Sequence, residues 1–112
     1  MGFLHLMYLE ADKIYACSKC KVHLTELNEL KSKFFQGRHG KAYLFNKVIN
    51  VSKGPLEDRQ LITGLHTVCD VYCNYCLSII GWKYERAYEQ SEKYKEGKTI
   101  LERKTIIKLG WT

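Results

Sequence analysis

Short apolar runs separated by glycines and charged residues make up most of the chain, which predicts strands joined by turns. The clearest run is Leu65 to Cys73, where alternation places odd-numbered residues on one face and even-numbered residues on the other. Further strands are predicted at 34–35, 42–45, 48–51 and 60–63, with Phe34-Phe35 expected to be buried. The pattern therefore predicts a small, mainly β domain with little helix.

The remaining segments give less regular patterns. Residues 27–33 are expected to hold a helical turn, and the acidic stretch 56–59 a loop. Residues 86–96 are charged, rich in tyrosine and free of β-branched residues, so we expect a loop with a short helix. Residues 99–107 are predicted to form one last strand. Residues 1–13 form a partly apolar lead-in that could add an edge strand or contact a partner.

Two Cys-x-x-Cys motifs carry the strongest chemical signal. They are Cys17-Ser18-Lys19-Cys20 and Cys73-Asn74-Tyr75-Cys76. Each motif can turn two sulfurs toward one point, so the pair can supply a tetrahedral four-sulfur site. Zinc suits such a site because it imposes no other geometry and prefers thiolate ligands. The sequence therefore predicts one structural zinc held by Cys17, Cys20, Cys73 and Cys76.

The long separation of the two motifs predicts that the metal pins a whole domain. Structural zinc patterns usually close loops of about 12 to 20 residues, whereas here the loop runs from Cys20 to Cys73. We expect the motifs to lie on hairpin tips that meet at one end of two packed sheets.

Size and charge limit the remaining possibilities. A chain of 112 residues is expected to form one domain, because half of it could not bury its own core. The net charge of +6 would suit nucleic acid or another acidic partner. However, 18 basic and 12 acidic residues are interspersed, which also fits an ordinary solvated surface. Paired cysteines without an export signal predict reduced thiols in the cytosol or nucleus.

Other candidate residues have weaker patterns. Cys69 shares a predicted face with Cys73, and it is either a reactive thiol or, as we favour, a small buried residue. His66 has the opposite parity and is expected to face away from the metal. Trp82 and Tyr84 share a face beyond the second motif, where they could form an aromatic pocket or simply belong to the core.

Several longer strings resemble one family. They are Tyr15-Ala16-Cys17, Phe35-Gln36-Gly37, Gly40-Lys41-Ala42-Tyr43-Leu44-Phe45, Asp58-Arg59, Thr63-Gly64-Leu65-His66-Thr67-Val68, Asp70-Val71-Tyr72-Cys73, Gly81-Trp82-Lys83-Tyr84-Glu85 and Tyr94-Lys95-Glu96-Gly97-Lys98. Together they resemble the yippee-type proteins, small zinc-binding proteins widespread in eukaryotes. The similarity covers about residues 14–108, which predicts a single domain there, a lead-in at 1–13 and a tail at 109–112.

The resemblance implies a fold and a group of partners. The fold would be the β-tent, in which two antiparallel sheets are pinned at the apex by a four-cysteine zinc site. By resemblance to the cereblon ligand-binding domain of the same fold type, Trp82 and Tyr84 match positions of an aromatic cage, whereas residues 63–68 offer no counterpart of its other tryptophans. Yippee-type proteins are associated with nuclear and cell-division settings, and some relatives associate with a ubiquitin ligase containing LisH and CTLH modules.

The function expected from the sequence is therefore that of a non-enzymatic, zinc-stabilised protein-interaction module. The expected partners are proteins, including subunits of a LisH/CTLH-type ubiquitin ligase, and the expected contact groove involves Trp82, Tyr84 and His66. The alternative is a nucleic-acid or nucleotide-binding module that uses the basic surface. We expect an intracellular protein, in the nucleus or cytoplasm, without membrane association.

Overall fold

The computed structural model describes residues 6–111, and these contain ten strands. In chain order the strands are β1 (Ile14–Cys17), β2 (His23–Glu26), β3 (Leu30–Gly37), β4 (Gly40–Phe45), β5 (Val51–Lys53), β6 (Glu57–Leu61), β7 (Gly64–Cys73), β8 (Ile79–Ala87), β9 (Thr99–Glu102) and β10 (Ile106–Leu109). Three 3₁₀ turns, at Leu27–Glu29, Gln90–Lys95 and Arg103–Thr105, provide the helix within the described residues. The fold is mainly β, as the sequence predicts.

The strands form two antiparallel sheets. The smaller sheet has three strands in the order β10-β1-β2. The larger has seven strands in the order β3-β4-β9-β8-β7-β5, with β6 pairing with the other part of β7. The β-tent expected from the resemblance is therefore confirmed.

Each face of the larger sheet carries an apolar cluster, which explains why β4 is apolar at every position from Ala42 to Phe45. Along β4, Tyr43 and Phe45 join the core cluster that also contains Tyr15 of the smaller sheet. Ala42 and Leu44 of the same strand join a second cluster on the opposite face. Because strand residues alternate between faces, two apolar clusters require an uninterrupted apolar run, and residues 42–45 are all buried.

The core between the sheets is aromatic. The Tyr15 side chain is fully buried, and its ring lies 5.1 Å from the ring of Phe45 and 5.2 Å from that of Trp111, both in edge-on geometry. Edge-to-face pairs of this kind contribute about 0.5–1.5 kcal/mol each beyond their buried area. These contacts join the first strand, the centre of the larger sheet and the end of the chain.

Each Cys-x-x-Cys motif lies at the tip of a hairpin, which confirms the prediction. The first occupies the turn between β1 and β2, in the smaller sheet, and the second the turn between β7 and β8, in the larger sheet. The two sheets therefore meet where the cysteines lie.

The prediction of one strand over residues 99–107 is wrong. The chain leaves the larger sheet after β9, turns at Arg103–Thr105, and joins the smaller sheet as β10. The Thr105 hydroxyl holds this crossing, because its single proton is shared between the carbonyl oxygens of Glu102 and Ile80, which lie 2.7 and 3.1 Å away. Apolar residues occur on both sides of this polar turn because Leu101 of β9 and Ile106 of β10 pack in the same core.

The acidic segment predicted to be a loop belongs instead to strand β6. It pairs with β7 at one edge of the larger sheet, where polar side chains face solvent. Polar and charged residues are typical of edge strands because they oppose aggregation. The prediction for Phe34 is wrong for a related reason, because β3 is also an edge strand and the Phe34 side chain is 95% exposed.

Other local predictions are confirmed in part. The helical turn expected in 27–33 covers only Leu27–Glu29, and the short helix expected in 86–96 covers Gln90–Lys95. The strand predicted at 48–51 starts only at Val51, because the backbone of Asn50 has a φ of 58°. Residues 6–13 form no strand, and the start of the lead-in lies outside the described residues. No helix in the described part is long and apolar enough to cross a membrane.

Candidate metal centre and aromatic groove

The four paired cysteines come together in one cluster. Their sulfur atoms all lie within 4.8 Å of one another. Across the two motifs, Cys17 Sγ lies 3.6 Å from Cys76 Sγ, and Cys20 Sγ lies 3.5 Å from Cys73 Sγ. A disulfide would need about 2.0 Å, so the four residues are free thiols.

The backbone of the two motifs folds in the same way. In each, the amide of the residue four places after the first cysteine donates to that cysteine's carbonyl oxygen, from Lys21 to Cys17 and from Leu77 to Cys73, both at 2.9 Å. Lys21 and Leu77 have φ values of 67° and 62°. Residues other than glycine rarely have backbone angles in this left-handed region. The tight turns bring both cysteine side chains of a motif to the same side.

The sulfur distances fit a tetrahedral metal site. Zinc–sulfur bonds of about 2.3 Å separate the sulfurs of a tetrahedron by about 3.8 Å, close to the spacing between the motifs. Four cysteines occupy all four positions of such a site, which is typical of structural zinc rather than catalytic zinc. The cluster joins the two sheets, so a metal held there would cross-link them.

The electrostatics of the cluster also favour a cation. Burial raises the pKa of the Cys20 thiol to about 12 and also raises that of Cys17. Burial acts in the same direction on Cys76, but hydrogen bonds from Ser78, Cys17 and Cys73 outweigh it and lower the pKa of that thiol to about 6. Burial therefore opposes ionisation of the Cys17 and Cys20 thiols. A divalent cation would supply the positive charge that four thiolates require.

Cys69 does not join this cluster. Its side chain is fully buried in β7, and burial raises the pKa of its thiol. Nucleophilic cysteines are exposed and have lowered pKa values. The arrangement therefore matches the small buried residue favoured from the sequence.

A groove of about 1050 Å³ covers the other face of the larger sheet. Residues of β7 and β8 line it from the sheet, residues of β3 and its turn line one side, and residues of β6, its turn and the 3₁₀ turn Gln90–Lys95 line the other. Several apolar side chains in this lining are largely exposed, namely Phe34 at 95%, Tyr94 at 54%, Ile79 at 48%, and Ile62, which is fully exposed. Exposed apolar side chains therefore lie on both sides of the groove, with Phe34 on one side and Ile62 and Tyr94 on the other.

The three residues expected to form a groove have different positions. Trp82 and Tyr84 both line the groove, with ring centroids 6.4 Å apart. Tyr84 is nevertheless almost completely buried, and burial raises the pKa of its phenol although the neighbouring Trp82 indole opposes the change. His66 is fully buried beside Tyr84, with ring centroids 5.3 Å apart, and is not among the lining residues. His66 Nδ1 lies 2.9 Å from the Gly64 carbonyl oxygen and so donates to it.

A different aromatic cage, formed by Phe35, Tyr84 and Tyr94, contains a cation from the chain itself, which the sequence did not reveal. The Lys95 ammonium lies 5.3, 5.2 and 5.9 Å from the ring centroids of Phe35, Tyr84 and Tyr94. Its side chain is only 3% exposed, and it pairs with Glu92 at 2.6 Å. The three-residue spacing of Glu92 and Lys95 is a helical ion-pair signal that could have indicated the pair, although not the cage.

The acidic groups in the groove are paired as well. The Arg59 guanidinium lies 3.1 Å from both Glu57 and Asp70. The buried carboxylate of Glu102 accepts a hydrogen bond from the His39 backbone N–H at 2.8 Å, and His39 Nδ1 lies 3.3 Å from its second oxygen. With Glu92 held by Lys95, each carboxylate in the lining has a partner within the chain.

Comparisons with known proteins agree with the fold and the cysteine cluster. A family model described as "Yippee zinc-binding/DNA-binding /Mis18, centromere assembly" matches residues 13–110. A yippee-like protein of Solanum tuberosum is 54% identical over 103 residues, which are 92% of this chain and 79% of that protein. Yippee-like protein 4 of Homo sapiens is also 54% identical, over 88% of this chain and 79% of that protein.

A solved structure shows the same fold. The crystal structure of the Mis18 "Yippee-like" domain superposes with a TM-score of 0.70 over 89% of this chain and 97% of that chain. The sequences are 13% identical, so this likeness concerns the fold alone. Together, the family match and the two relatives show that the chain belongs to the yippee family.

Proposed function

We propose that this protein is a non-enzymatic interaction module that holds a structural zinc ion and binds protein partners in the groove. The observation that carries the proposal is the groove itself, because large apolar side chains on both of its sides are exposed rather than buried. Exposed apolar surface around a concavity is typical of a protein-binding site.

Zinc is the metal that best fits the cysteine cluster. Four thiolates form a soft, tetrahedral ligand set, which selects zinc over harder cations such as magnesium or calcium. The family model names zinc binding in its description. The role proposed for the ion is architectural, because it would join the β1–β2 and β7–β8 hairpins and leave no position for a substrate.

A non-enzymatic role is supported by the state of the other reactive groups in the described residues. The Cys69 thiol is buried with a raised pKa, and His66 is buried with one nitrogen bonded to the backbone. Neither side chain lines the groove. Reduced thiols at the metal site fit the cytosol or nucleus, where we place the protein.

The partners that we propose to test first are subunits of a LisH/CTLH-type ubiquitin ligase. The family resemblance supports this choice. The adaptor hypothesis requires a surface that can hold a partner while the metal preserves the fold, and the groove lies on the opposite face of the larger sheet from the core that the two sheets share.

A second candidate function is nucleic-acid binding by the basic surface. The net charge of +6 favours it, and the description of the family model includes DNA binding. The four carboxylates that line the groove would repel phosphates, so this function would use lysines elsewhere on the surface. Binding would weaken steeply with salt because phosphate contacts release counterions.

Affinity purification from cells at physiological salt, followed by mass spectrometry, separates the two functions. The Trp82→Ala variant tests the groove floor, and Phe34→Ala tests the rim without removing a buried side chain. Tyr8→Ala is the matched control, because Tyr8 is 74% exposed and lies outside the groove.

The protein-module proposal predicts partners that persist after nuclease treatment and disappear in both groove variants, but not in Tyr8→Ala. Partners lost on nuclease treatment, together with retention of DNA at about 50 mM salt, would favour nucleic-acid binding. Protein partners that bind all three variants equally would exclude the groove.

A further inference from the structure

The turns that meet at the cysteine cluster form a second surface, which we call the apex. It consists of residues 18–21 of the first motif, residues 74–77 of the second motif and the 3₁₀ turn Arg103–Thr105. The sulfurs of the two motifs lie within 4.8 Å of one another, and the Ser18 backbone N–H donates to the Thr105 carbonyl oxygen at 2.9 Å. None of these residues lines the groove, so the apex is a separate surface.

The apex carries positive charge and no carboxylate. Residues 17–25, 71–81 and 103–106 include neither aspartate nor glutamate. In the described part of the chain, the four basic side chains of the apex form no salt bridge. They are Lys19, Lys21, Arg103 and Lys104. A zinc ion with four thiolates would carry two net negative charges, so the apex would keep a net positive charge with the metal bound.

Exposed apolar side chains lie in the second motif of the apex. Tyr75 is 60% exposed and Leu77 is 69% exposed, and neither packs against the two core clusters. The φ of Leu77 is 62°, in a backbone region that glycine and asparagine occupy at lower cost than leucine does. Leucine at this position therefore stabilises neither the local backbone nor the core. Residues that break local rules without a structural gain are typical of functional surfaces.

The cationic and apolar side chains of the two motifs occupy equivalent positions on the two sides of the sulfurs. Both motifs form the same turn, with equivalent backbone hydrogen bonds from the amides of Lys21 and Leu77. Two residues earlier, Lys19 is equivalent in position to Tyr75. The Lys21 ammonium donates to the Ser18 carbonyl oxygen at 2.7 Å and keeps two further N–H donors for a ligand. The apex thus has a cationic half and an apolar half at the same level.

This arrangement selects a protein segment over a nucleic acid or a membrane. Nucleic acids are held mainly through their phosphates, which would contact the cationic half and leave Leu77 without an apolar partner. An anionic membrane takes up apolar side chains that extend beyond the cations, whereas here the two kinds of side chain lie at the same level. A protein segment can offer carboxylates and apolar side chains next to each other, and so matches both halves.

We propose that the apex binds a segment of a partner protein in which acidic and large apolar side chains lie next to each other. The acidic side chains contact the lysines of the first motif and the Arg103–Thr105 turn, and the apolar side chains cover Tyr75 and Leu77. This gives the metal-bearing end of the molecule a binding role that is independent of the groove.

Two matched variants separate binding from folding. Leu77→Asn removes the apolar side chain, and Lys21→Asn removes the cation at the equivalent position of the first motif. Asparagine tolerates the left-handed region, so both variants should keep the zinc content and the urea unfolding midpoint of the wild type. Ile62→Asn is the control, because Ile62 is fully exposed at the side of the groove and lies outside the apex.

The test is selection of a displayed library of random peptides on the zinc-loaded protein, with the Leu77→Asn/Lys21→Asn protein as the counter-selection. We expect enriched peptides that contain both acidic and large apolar residues. Leu77→Asn should weaken their binding about tenfold, whereas Ile62→Asn should leave it unchanged. Lys21→Asn should weaken the binding and also reduce its dependence on salt, because exposed charges are screened by ions.

Several results would overturn the inference. One is that no peptide is enriched over the counter-selection, and another is that the enriched peptides lack acidic residues. Equal losses of binding in Ile62→Asn and Leu77→Asn would place the peptides outside the apex. Binding of a DNA duplex that is lost in Lys21→Asn but kept in Leu77→Asn would instead identify a nucleic-acid site. Sedimentation with phosphatidylserine-containing vesicles that is lost in Leu77→Asn would identify a membrane site.

Discussion

The buried ion pair of Lys95 and Glu92 offers the sharpest prediction about stability. Replacement of Lys95 by methionine keeps the length of the side chain but removes its charge. It breaks an ion pair at 2.6 Å and a hydrogen bond to the Thr63 hydroxyl at 3.1 Å, and it leaves the Glu92 carboxylate without its cation. A carboxylate that is only 16% exposed is poorly hydrated, so the loss of its partner is costly.

The expected magnitude follows from these contacts. Removal of one partner of a buried ion pair costs about 3–5 kcal/mol. Because Glu92 keeps some exposure to water, we expect Lys95→Met to lower the free energy of unfolding by about 3 kcal/mol. The double variant Lys95→Met/Glu92→Gln leaves no buried charge, so we expect its free energy of unfolding to lie within about 1 kcal/mol of the wild-type value. The effects of the two single changes should therefore not add, because the residues are in contact.

The assay is urea unfolding followed by tryptophan fluorescence at pH 7 with zinc in slight excess. Lys104→Met is the matched control, because Lys104 is exposed, and it should leave the unfolding midpoint unchanged. The reasoning would be refuted if Lys95→Met lowered the free energy of unfolding by less than about 0.5 kcal/mol, which is the range of ordinary surface changes. Additive single effects would refute it equally.

The same pair predicts a dependence on pH. The hydrogen bond from Lys95 lowers the pKa of the Glu92 carboxyl in the folded protein. A lowered folded-state pKa gives stability that is present above the ordinary carboxyl value of about 4.3 and is lost as the pH falls through the folded value. Lys95→Met should therefore lose less stability on acidification than the wild type does, when both are compared in that acidic range.

Three further predictions follow from close contacts elsewhere. A Cβ at Gly81 would overlap the Ile100 carbonyl oxygen, so Gly81→Ala should force β8 and β9 apart and cost about 3 kcal/mol or more in urea unfolding; a cost below about 1 kcal/mol would contradict this. Thr105→Val removes the shared hydrogen bond at the crossing between the sheets and should cost about 1–3 kcal/mol by the same assay; an unchanged free energy of unfolding would contradict this. Cys69 should react with iodoacetamide only after unfolding, because its thiol is buried with a raised pKa. Labelling of the folded protein at the rate of a free thiol would contradict this.

The cysteine cluster could be predicted from the sequence because the geometry of each motif is local. Two cysteines three positions apart need only a tight turn to converge, and the same turn forms at Cys17 and at Cys73. The alternation of β7 also predicted which residues share a face, because Val71 and Cys73 join the cluster between the sheets and Val68 joins the other. Such patterns depend only on the period of a strand.

The groove could not be derived in the same way because it depends on contacts between distant segments. Lys95 reaches its cage only when the segment after β8 folds back against Phe35 of β3, and no local period records this. Phe34 has the composition of a core residue, yet its position on an edge strand exposes it. Edge and centre are properties of the sheet order, which the pattern of a single strand does not specify.

The most direct test of the central claim is native mass spectrometry of the protein during acid titration. One spectrum reports both the metal, from the mass, and the fold, from the charge-state distribution. If the four cysteines hold a zinc ion that joins the two sheets, the folded, low-charge species will carry one zinc ion per chain, and its loss will coincide with the change to unfolded, high-charge species, because protons compete with zinc for the thiolates. A folded species without metal that remains after zinc is lost would contradict the account.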